Sequence, residues 1–297
     1  ATLAATQDVF VDAFAVRALR PEERGYGNTA QVAGYRLGML VGGAALLLVV
    51  GQLGERATLL ACAGVVGATS IGAFLSSEDA AAGASARAPS EPAPGSLGLG
   101  PLLRHLLGPE VRIVLAVALT FKLGLHMAGG LLKPMAVDHG WTKQQIGAAV
   151  VTVGSASALA GAAAGGVVHR LLAEKRALMV ALFVQALVCA PLVLVDHLRA
   201  PLGLTTAAFA LEHFGSGLGT TVLFAALMSA TRPADAGLHY TVLTSANALG
   251  IGLGGLVGGI VADQLGKSTT FGIATLACVA PAPLIARWDS ASGRSRE

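Results

Sequence analysis

Long apolar segments recur along the whole chain, and they decide what it can fold into. They occupy residues 1–19, 29–50, 57–75, 111–136, 145–167, 177–195, 202–230, 237–262 and 268–286. Each is close to or above the roughly 20 residues with which a helix crosses the hydrocarbon layer of a bilayer. Only 12% of the residues are charged, whereas soluble domains carry about 25%. The pattern predicts an all-α integral membrane protein with about nine transmembrane helices.

The basic residues are divided unequally between the two sides of this predicted bundle. One set of alternate connections, together with the C-terminal tail, holds thirteen Lys and Arg residues, and the opposite set holds five. Because the more basic side of a membrane protein is usually cytoplasmic, we expect a cytoplasmic C-terminus. The net charge of +3 therefore reflects topology, and no nucleic-acid partner is predicted.

A segment rich in Ala, Ser, Gly and Pro separates the third apolar segment from the fourth. It reads SSEDAAAGASARAPSEPAPGSLGLG and occupies residues 76–100. Such a sequence buries too little apolar surface to order itself, which predicts a flexible cytoplasmic linker. The expected parts are the remainder of an N-terminal bundle at 1–75, the linker at 76–110, a six-helix bundle at 111–288 and a cytoplasmic tail at 289–297.

An internal repeat relates the two sides of the linker. At an offset of 212 residues, 13–43 aligns with 225–255, and ten of 31 positions are identical. Four of the ten matches are glycines in a glycine-rich chain, so chance is an alternative explanation. The aligned segments are predicted to cross the membrane in the same direction, as corresponding helices in the two halves of major facilitator transporters do. The repeat predicts a major facilitator-type helical bundle in which this chain supplies helices 4–12 of twelve, with the first three helices missing ahead of Ala1.

Two apolar segments carry glycines at every fourth position, which would expose their backbones for close helix packing in lipid. The string GIGLGG at 250–255 also has the spacing of a nucleotide-binding fingerprint, but no strand precedes it and it lies inside a continuous apolar segment. We therefore predict helix packing for both rows. One row is Gly34, Gly38 and Gly42 in the segment 29–50, and the other is Gly250, Gly254 and Gly258 in the segment 237–262.

Three charged residues interrupt the first two apolar segments. Asp8 and Asp12 are four residues apart, so they share one face of a helix. Charged residues at bilayer depth usually face a bundle interior or a water-filled path. Two carboxylates close together in a poorly solvated cavity do not both ionise, which suits proton coupling. Arg36 in the next segment requires a carboxylate from Asp8, Asp12 or the solute. The alternative for all three is a structural ion pair.

A second charged group lies in the six segments after the linker. Lys122 is predicted to bind an anionic solute and His126 to relay a proton, with a snorkelling lysine and a packing histidine as the alternatives. Glu212 is predicted to neutralise Lys122 across a central cavity or to take the transported proton. Adjacent helix residues point about 100° apart, so His213 is not expected to share the role of Glu212. Four further polar residues are candidates for lining the pore or for interhelical hydrogen bonds: Gln31, Tyr35, Tyr240 and Asn247.

Several stretches resemble AmpG-like permeases, the peptide and acetyl-CoA transporter branch of the major facilitator superfamily. The most specific is TQDVFVDAFAVRALRPEERGYGNTAQVAGYRLGML at 6–40, followed by FKLG at 121–124, LEHFGSGLGT at 211–220 and HYTVLTSA at 239–246. The resemblance implies proton-coupled uptake of a bulky solute across a bacterial inner membrane, either an anhydro-muropeptide or a ferric siderophore. The sequence of residues 15–39 resembles the siderophore permeases more than the muropeptide permeases.

The chain departs from that family at three places. By this resemblance, we expect the first three helices and the loop motif between helices 2 and 3 to lie outside this sequence. Muropeptide permeases tend to carry an acid after KLG, where this chain has Leu125 and then His126, and His169 stands where an Asp is usual. The identity of the solute and of the coupling acid stays open at this point.

The sequence contains no enzyme motif that fits its chemistry. It has no GxSxG, HExxH or Walker loop, and no Cys/His spacing typical of a metal site. We predict a secondary carrier without cofactor or metal, whose partners are a small solute, protons and the lipid bilayer, and which is a monomer. The alternative from another class is a membrane protein that does not transport, either a sensor or an inactive truncated permease.

Overall fold

A computed structural model of the chain describes residues 2–39, 50, 54–71, 108–232 and 236–288. The part before the linker contains α1 (Thr2–Ala18), α2 (Arg24–Met39) and α3 (54–71). The part after it contains α4 (Pro109–Thr120), α5 (Leu123–Gly129), α6 (Leu132–Asp138), α7 (Lys143–Ile146), a π-helical segment (Gly147–Val153), α8 (Gly154–Leu171), α9 (Glu174–His197), α10 (Leu202–Ala230), α11 (Ala236–Leu265), α12 (Lys267–Val279) and α13 (Ala282–Ala286). The predicted all-α class is confirmed, whereas the linker stretch 76–100, the tail and Gly42 lie outside the described residues.

Five helical stretches are long and apolar enough to cross a membrane. They are Val111–Asp138, Lys143–Leu171, Glu174–His197, Ala236–Leu265 and Lys267–Ala286. Helix α10, with 29 residues, also has the length of a span, whereas α1 and α2 are described over 17 and 16 residues. Helices therefore occur at all the predicted positions, and the count of nine spans stays a prediction.

The span that contains α4, α5 and α6 is interrupted by turns at Phe121–Lys122 and Gly130–Leu131. The second turn follows from Pro134, which has no N–H to donate to the carbonyl four residues before it. Near the first turn, the Thr120 hydroxyl donates to the Ala116 carbonyl oxygen at 2.6 Å, a contact that often bends helices. The first interruption places Lys122 between two helical segments.

Two apolar cores occupy opposite ends of the second part. One groups residues of α4, the N-terminal half of α9, the C-terminal half of α10 and the start of α11 around Phe121, Leu182 and Tyr240. The other groups residues of α5, α6, α9 and α12 around Leu125, Cys189 and Phe271. Helix α10 packs on α8 and α9, α5 packs on α11 and α12, and the first part joins through α2 on α8 and α10 and through α1 on α11.

Candidate solute and proton site

Lys122 lies inside the bundle, at the turn between α4 and α5, with 3% of its surface exposed. Its Nζ donates to the Ser216 carbonyl oxygen at 3.1 Å and to Thr220 Oγ1, and it lies 3.4 Å from Ser216 Oγ. We call these three atoms of α10 the oxygen cluster. All of them are neutral, and no carboxylate among the described side chains contacts the ammonium directly. The snorkelling alternative does not describe this conformation, since the side chain does not reach the surface.

The α11 glycine row packs against the segment that carries Lys122. A Cβ added at Gly250, Gly254 and Gly258 would lie 1.8, 2.5 and 2.6 Å from the carbonyl oxygens of Leu119, Leu123 and Met127, respectively. Such distances are far below van der Waals contact, so only glycine allows the two backbones to approach this closely. The row thereby sets the position of Lys122 relative to α10.

Glu212 lies on the same helix as the oxygen cluster and is 5% exposed. Its Oε2 is 2.9 Å from His213 Nδ1, and that nitrogen is also 2.9 Å from the Phe209 carbonyl oxygen. A Cβ added at Gly129 would lie 3.0 Å from Glu212 Oε1, so α5 lies against the carboxyl group. The two side chains thus turn toward each other despite the roughly 100° between their Cα directions, and the separate role expected for His213 stays a prediction.

Four sequence-predicted residues share one electrostatic environment. Glu212 and Arg36 both lie within electrostatic range of Lys122 and of His126. His126 Nδ1 is 3.0 Å from the Lys122 carbonyl oxygen, and because a carbonyl only accepts, Nδ1 must carry the proton of the neutral ring. The site therefore brings together a basic side chain from each of the two parts, Lys122 and Arg36, one carboxyl group and one histidine whose Nε2 can accept a proton.

Arg36 is half-buried in α2, and no ion pair or hydrogen bond joins it to another described residue. Asp12, one of its expected partners, instead accepts from Gln31 Nε2 at 3.2 Å and lies within electrostatic range of the Tyr240 hydroxyl. Asp8 falls in α1, and its side chain lies outside the described residues. The structure thus links Asp12 with Gln31 and Tyr240.

The remaining predicted positions differ in burial. Tyr240 is fully buried and Asn247 is 3% exposed, whereas Tyr35 is 67% exposed. Tyr240 Oη and Asn247 Oδ1 are buried polar atoms without a hydrogen-bond partner among the described residues. A Cβ added at Gly34 or Gly38 would meet no described atom within 4 Å.

The two parts meet closely at the end of the bundle that the basic residues predict to be cytoplasmic. Arg24 Nη1 donates to Ser229 Oγ at 2.9 Å, and Thr29 Oγ1 donates to the Ala162 carbonyl oxygen at 2.9 Å. Asn28, which is fully buried, has its Nδ2 3.3 Å from Met228 Sδ. We call these pairs the inter-half contact. They join α2 to α8 and α10.

Buried ionisable groups surround the inter-half contact. Arg24 precedes the predicted span 29–50, and burial lowers the pKa of its guanidinium while the Glu174 and Glu22 carboxylates act in the opposite sense. Glu174 Oε1 accepts from the Trp288 indole at 2.6 Å, which ties the start of α9 to the end of the described chain. Both ring nitrogens of His169 are buried without a hydrogen-bond partner among the described residues.

Sequence reasoning missed the oxygen cluster and the close crossing of α8 and α10. Ser216 and Thr220 are ordinary residues in an apolar helix, and only their spacing of four from Glu212 could have drawn attention to them. The crossing of α8 and α10 depends on Gly161 and Gly217, where an added Cβ would lie 2.0 Å from a carbonyl oxygen of the facing helix. The four-residue spacing of Gly161 and Gly165 was a signal that could have identified it.

Within the described residues, no group of three or more His, Cys, Asp or Glu side chains could hold a metal ion. Cys189 and Cys278 bring their sulfur atoms to 4.0 Å inside the second core.

Comparison with known proteins agrees with this geometry. The chain matches the family model of the Major Facilitator Superfamily over residues 3–210 and 114–297. It is 28% identical over 282 residues to the anhydromuropeptide permease of Escherichia coli (strain K12), which covers 93% of this chain and 55% of that protein. It is 24% identical over 249 residues to the putative transporter AmpG 4 of Rickettsia conorii (strain ATCC VR-613 / Malish 7), covering 83% of this chain and 60% of that protein.

The chain therefore spans a little over half the length of these curated relatives. The resemblance to AmpG-like permeases that the motifs indicated is confirmed. With apolar helices of membrane-spanning length and a family match over nearly its whole length, this chain belongs to the Major Facilitator Superfamily.

Proposed function

We propose that the protein imports a bulky anionic solute across the bacterial inner membrane, coupled to protons, with an anhydro-muropeptide as the first candidate. The observation that carries the proposal is Lys122, a buried ammonium whose hydrogen-bond partners among the described residues are neutral oxygens and which lies within electrostatic range of Glu212 and Arg36. A buried cation normally has a charged partner. A carboxylate of the solute would supply one.

Arg36 supports the same class of solute. Its guanidinium fork suits carboxylate or phosphate groups, and no described acidic side chain pairs with it. Lys122 belongs to the part after the linker and Arg36 to the part before it, so an anionic solute between them would contact both parts. A relative named an anhydromuropeptide permease supports an anhydro-muropeptide as the first candidate. The sequence of residues 15–39 supports a ferric siderophore as the second candidate.

Glu212 is the first candidate for the coupling acid, and Asp12 is the second. Glu212 is buried at 5% exposure and faces α5 and His213, so holding a charge there is costly unless a cation is near. Asp12 lies at the boundary between α1, α2 and α11, through Gln31 and Tyr240. Protonation at either carboxyl would change the balance of charge next to surfaces that must move.

The inter-half contact supports alternating access. Its hydrogen bonds and the close approach of Gly25 to Gly166 join the two parts at the predicted cytoplasmic end. Opening that end toward the cytoplasm requires these contacts to break. The inward direction, the cytoplasmic C-terminus and the monomeric state are parts of this proposal.

Uptake tests the proposal in cells that lack their own anhydro-muropeptide permease. The cells would express the whole gene that encodes this chain. Uptake of labelled anhydro-muropeptide and of labelled ferric siderophore would be measured with and without a protonophore. We expect protonophore-sensitive uptake of one solute, a loss of at least about tenfold in Glu212→Gln and Lys122→Met, and wild-type uptake in Glu55→Gln, which changes an exposed acid of α3. Correctly inserted protein that takes up neither solute would reject the proposal and favour the sensor or the inactive permease.

A further inference from the structure

The hydrogen bonds of the oxygen cluster have a fixed direction. The single proton of the Thr220 hydroxyl is donated to the Ser216 carbonyl oxygen at 2.7 Å, so Thr220 Oγ1 can only accept from Lys122. The Ser216 carbonyl also only accepts. Two of the three atoms of the cluster, Thr220 Oγ1 and the Ser216 carbonyl oxygen, are therefore acceptors toward Lys122, and they suit a lysine that keeps its full set of N–H donors.

The cluster also lies in line with Glu212. Residues 212, 216 and 220 follow one another at intervals of four and share one face of α10. Facing them on the interrupted span are Gly129 near Glu212 and Lys122 near Ser216 and Thr220. Lys122 and Glu212 are thus oppositely charged neighbours along one line, yet they form no ion pair.

We infer that Ser216 and Thr220 are positioning residues that hold the Lys122 ammonium apart from Glu212, available to one anionic group of the solute. The inference rests on the proposed function and specifies it: the cargo must carry a carboxylate or phosphate that takes Lys122 as its partner. An ion pair between Lys122 and Glu212 would have to be broken by every incoming anion. The neutral oxygen cluster removes that competition, and it leaves the Glu212 carboxyl to exchange its proton.

Thr220→Val tests the inference, because valine keeps the shape and removes the acceptor. We expect the KM for an anionic solute to rise about tenfold, the size of one hydrogen bond to a charged group, with the maximal rate changed less than twofold. Thr220→Ser should restore the KM. The matched control is Thr221→Val: Thr221 is the next residue on α10, is fully buried whereas Thr220 is partly buried, and its hydroxyl has no hydrogen-bond partner among the described residues.

A second experiment compares the KM of the free solute with that of a solute whose acidic group is blocked as an ester or amide. If Thr220→Val and Thr221→Val behave alike, the inference is wrong and the proposed function stands. If the wild-type protein takes up the blocked and the free forms with equal KM, the inference is wrong and so is the choice of an anionic solute in the proposed function.

A double-mutant cycle covers the case in which no uptake is seen at all. Thr220→Val should lower the Tm of the purified protein more in the presence of Lys122 than in Lys122→Met, because only the wild-type background also loses the hydrogen bond from the ammonium; the bond from Thr220 to the Ser216 carbonyl oxygen is lost in both. Equal Tm shifts in the two backgrounds would show that Thr220 does not hold Lys122. Coupling without uptake of any solute would support the cluster and remove the transport proposal.

Discussion

The two glycine rows have the same spacing and differ in what they contact. A Cβ added anywhere in the α11 row would lie within 2.6 Å of a backbone carbonyl oxygen of the facing span, whereas one added at Gly34 or Gly38 of the α2 row meets no described atom within 4 Å. The two rows correspond under the internal repeat, since Gly38 aligns with Gly250. Equal sequence signals have therefore led to unequal packing.

The difference shows that a glycine row provides a flat helix surface, and that the facing backbone decides whether the surface is buried. For the α11 row, the facing backbone is the interrupted span with Lys122. The row therefore contributes to stability and to the position of the buried ammonium at the same time. In α2, the glycines with close neighbours lie at the opposite end of the helix, at Gly25 against Gly166 and His169.

The largest expected effect belongs to Gly250→Ala. The new Cβ would lie 1.8 Å from the Leu119 carbonyl oxygen, so α11 and α4 must separate and lose packing along the span. We expect a loss of about 3 kcal/mol in the free energy of unfolding, measured by thermal unfolding in detergent and by the yield of monodisperse protein. Gly252→Ala is the control, because its Cβ meets nothing within 4 Å. A Gly250→Ala protein as stable as the control would show that the α11 row is not closely packed.

Gly254→Ala is expected to affect transport more than stability. Its Cβ would lie 2.5 Å from the Leu123 carbonyl oxygen, next to the turn that holds Lys122. A small shift of α5 moves the ammonium away from the oxygen cluster, and we expect uptake per inserted molecule to fall about tenfold, as for the loss of one charged hydrogen bond. Gly259→Ala, on the same helix with nothing within 4 Å, should keep wild-type uptake. A parallel fall in Tm and uptake would show that the row acts on folding alone.

The residues of the site could be predicted from the sequence where they are charged residues within an apolar segment. Lys122, Glu212 and Arg36 are charges at bilayer depth, and such charges require a reason. Ser216 and Thr220 are ordinary residues in an apolar helix, so only the structure shows that they contact Lys122.

Side-chain pairing was less predictable than helix position. The apolar segments indicated where helices occur, but the contact of His213 with Glu212 depends on rotamers that spacing does not specify. The same holds for Asp12, which accepts from Gln31 rather than from Arg36.

A smaller effect is expected at the packed end of α2. A Cβ at Gly25 would lie 2.9 Å from the Gly166 carbonyl oxygen, and α2 can move by a few tenths of an ångström to accept it. We expect Gly25→Ala to cost about 1 kcal/mol and to slow disulfide cross-linking between cysteines introduced at Asn28 and Met228 severalfold. Gly34→Ala should leave the cross-linking rate unchanged. Faster or equal cross-linking in Gly25→Ala would mean that the two parts do not meet through these glycines.

The smallest effect is expected at Gly38, and its sign carries the most information about the α2 row. Since an added Cβ meets no described atom, Gly38→Ala should be neutral or stabilising by up to about 1 kcal/mol, the difference in helix propensity between the two residues. The measurement is the Tm of the purified protein beside Gly252→Ala, which makes the same change on an exposed face of α11. Equal shifts would mean that the row in α2 faces lipid or solvent. A loss at Gly38 comparable with that at Gly250 would mean that another helix packs on this face in the membrane. The packing predicted from the four-residue spacing would then hold for both rows, and the contrast between them would come from the contacts of the described residues alone.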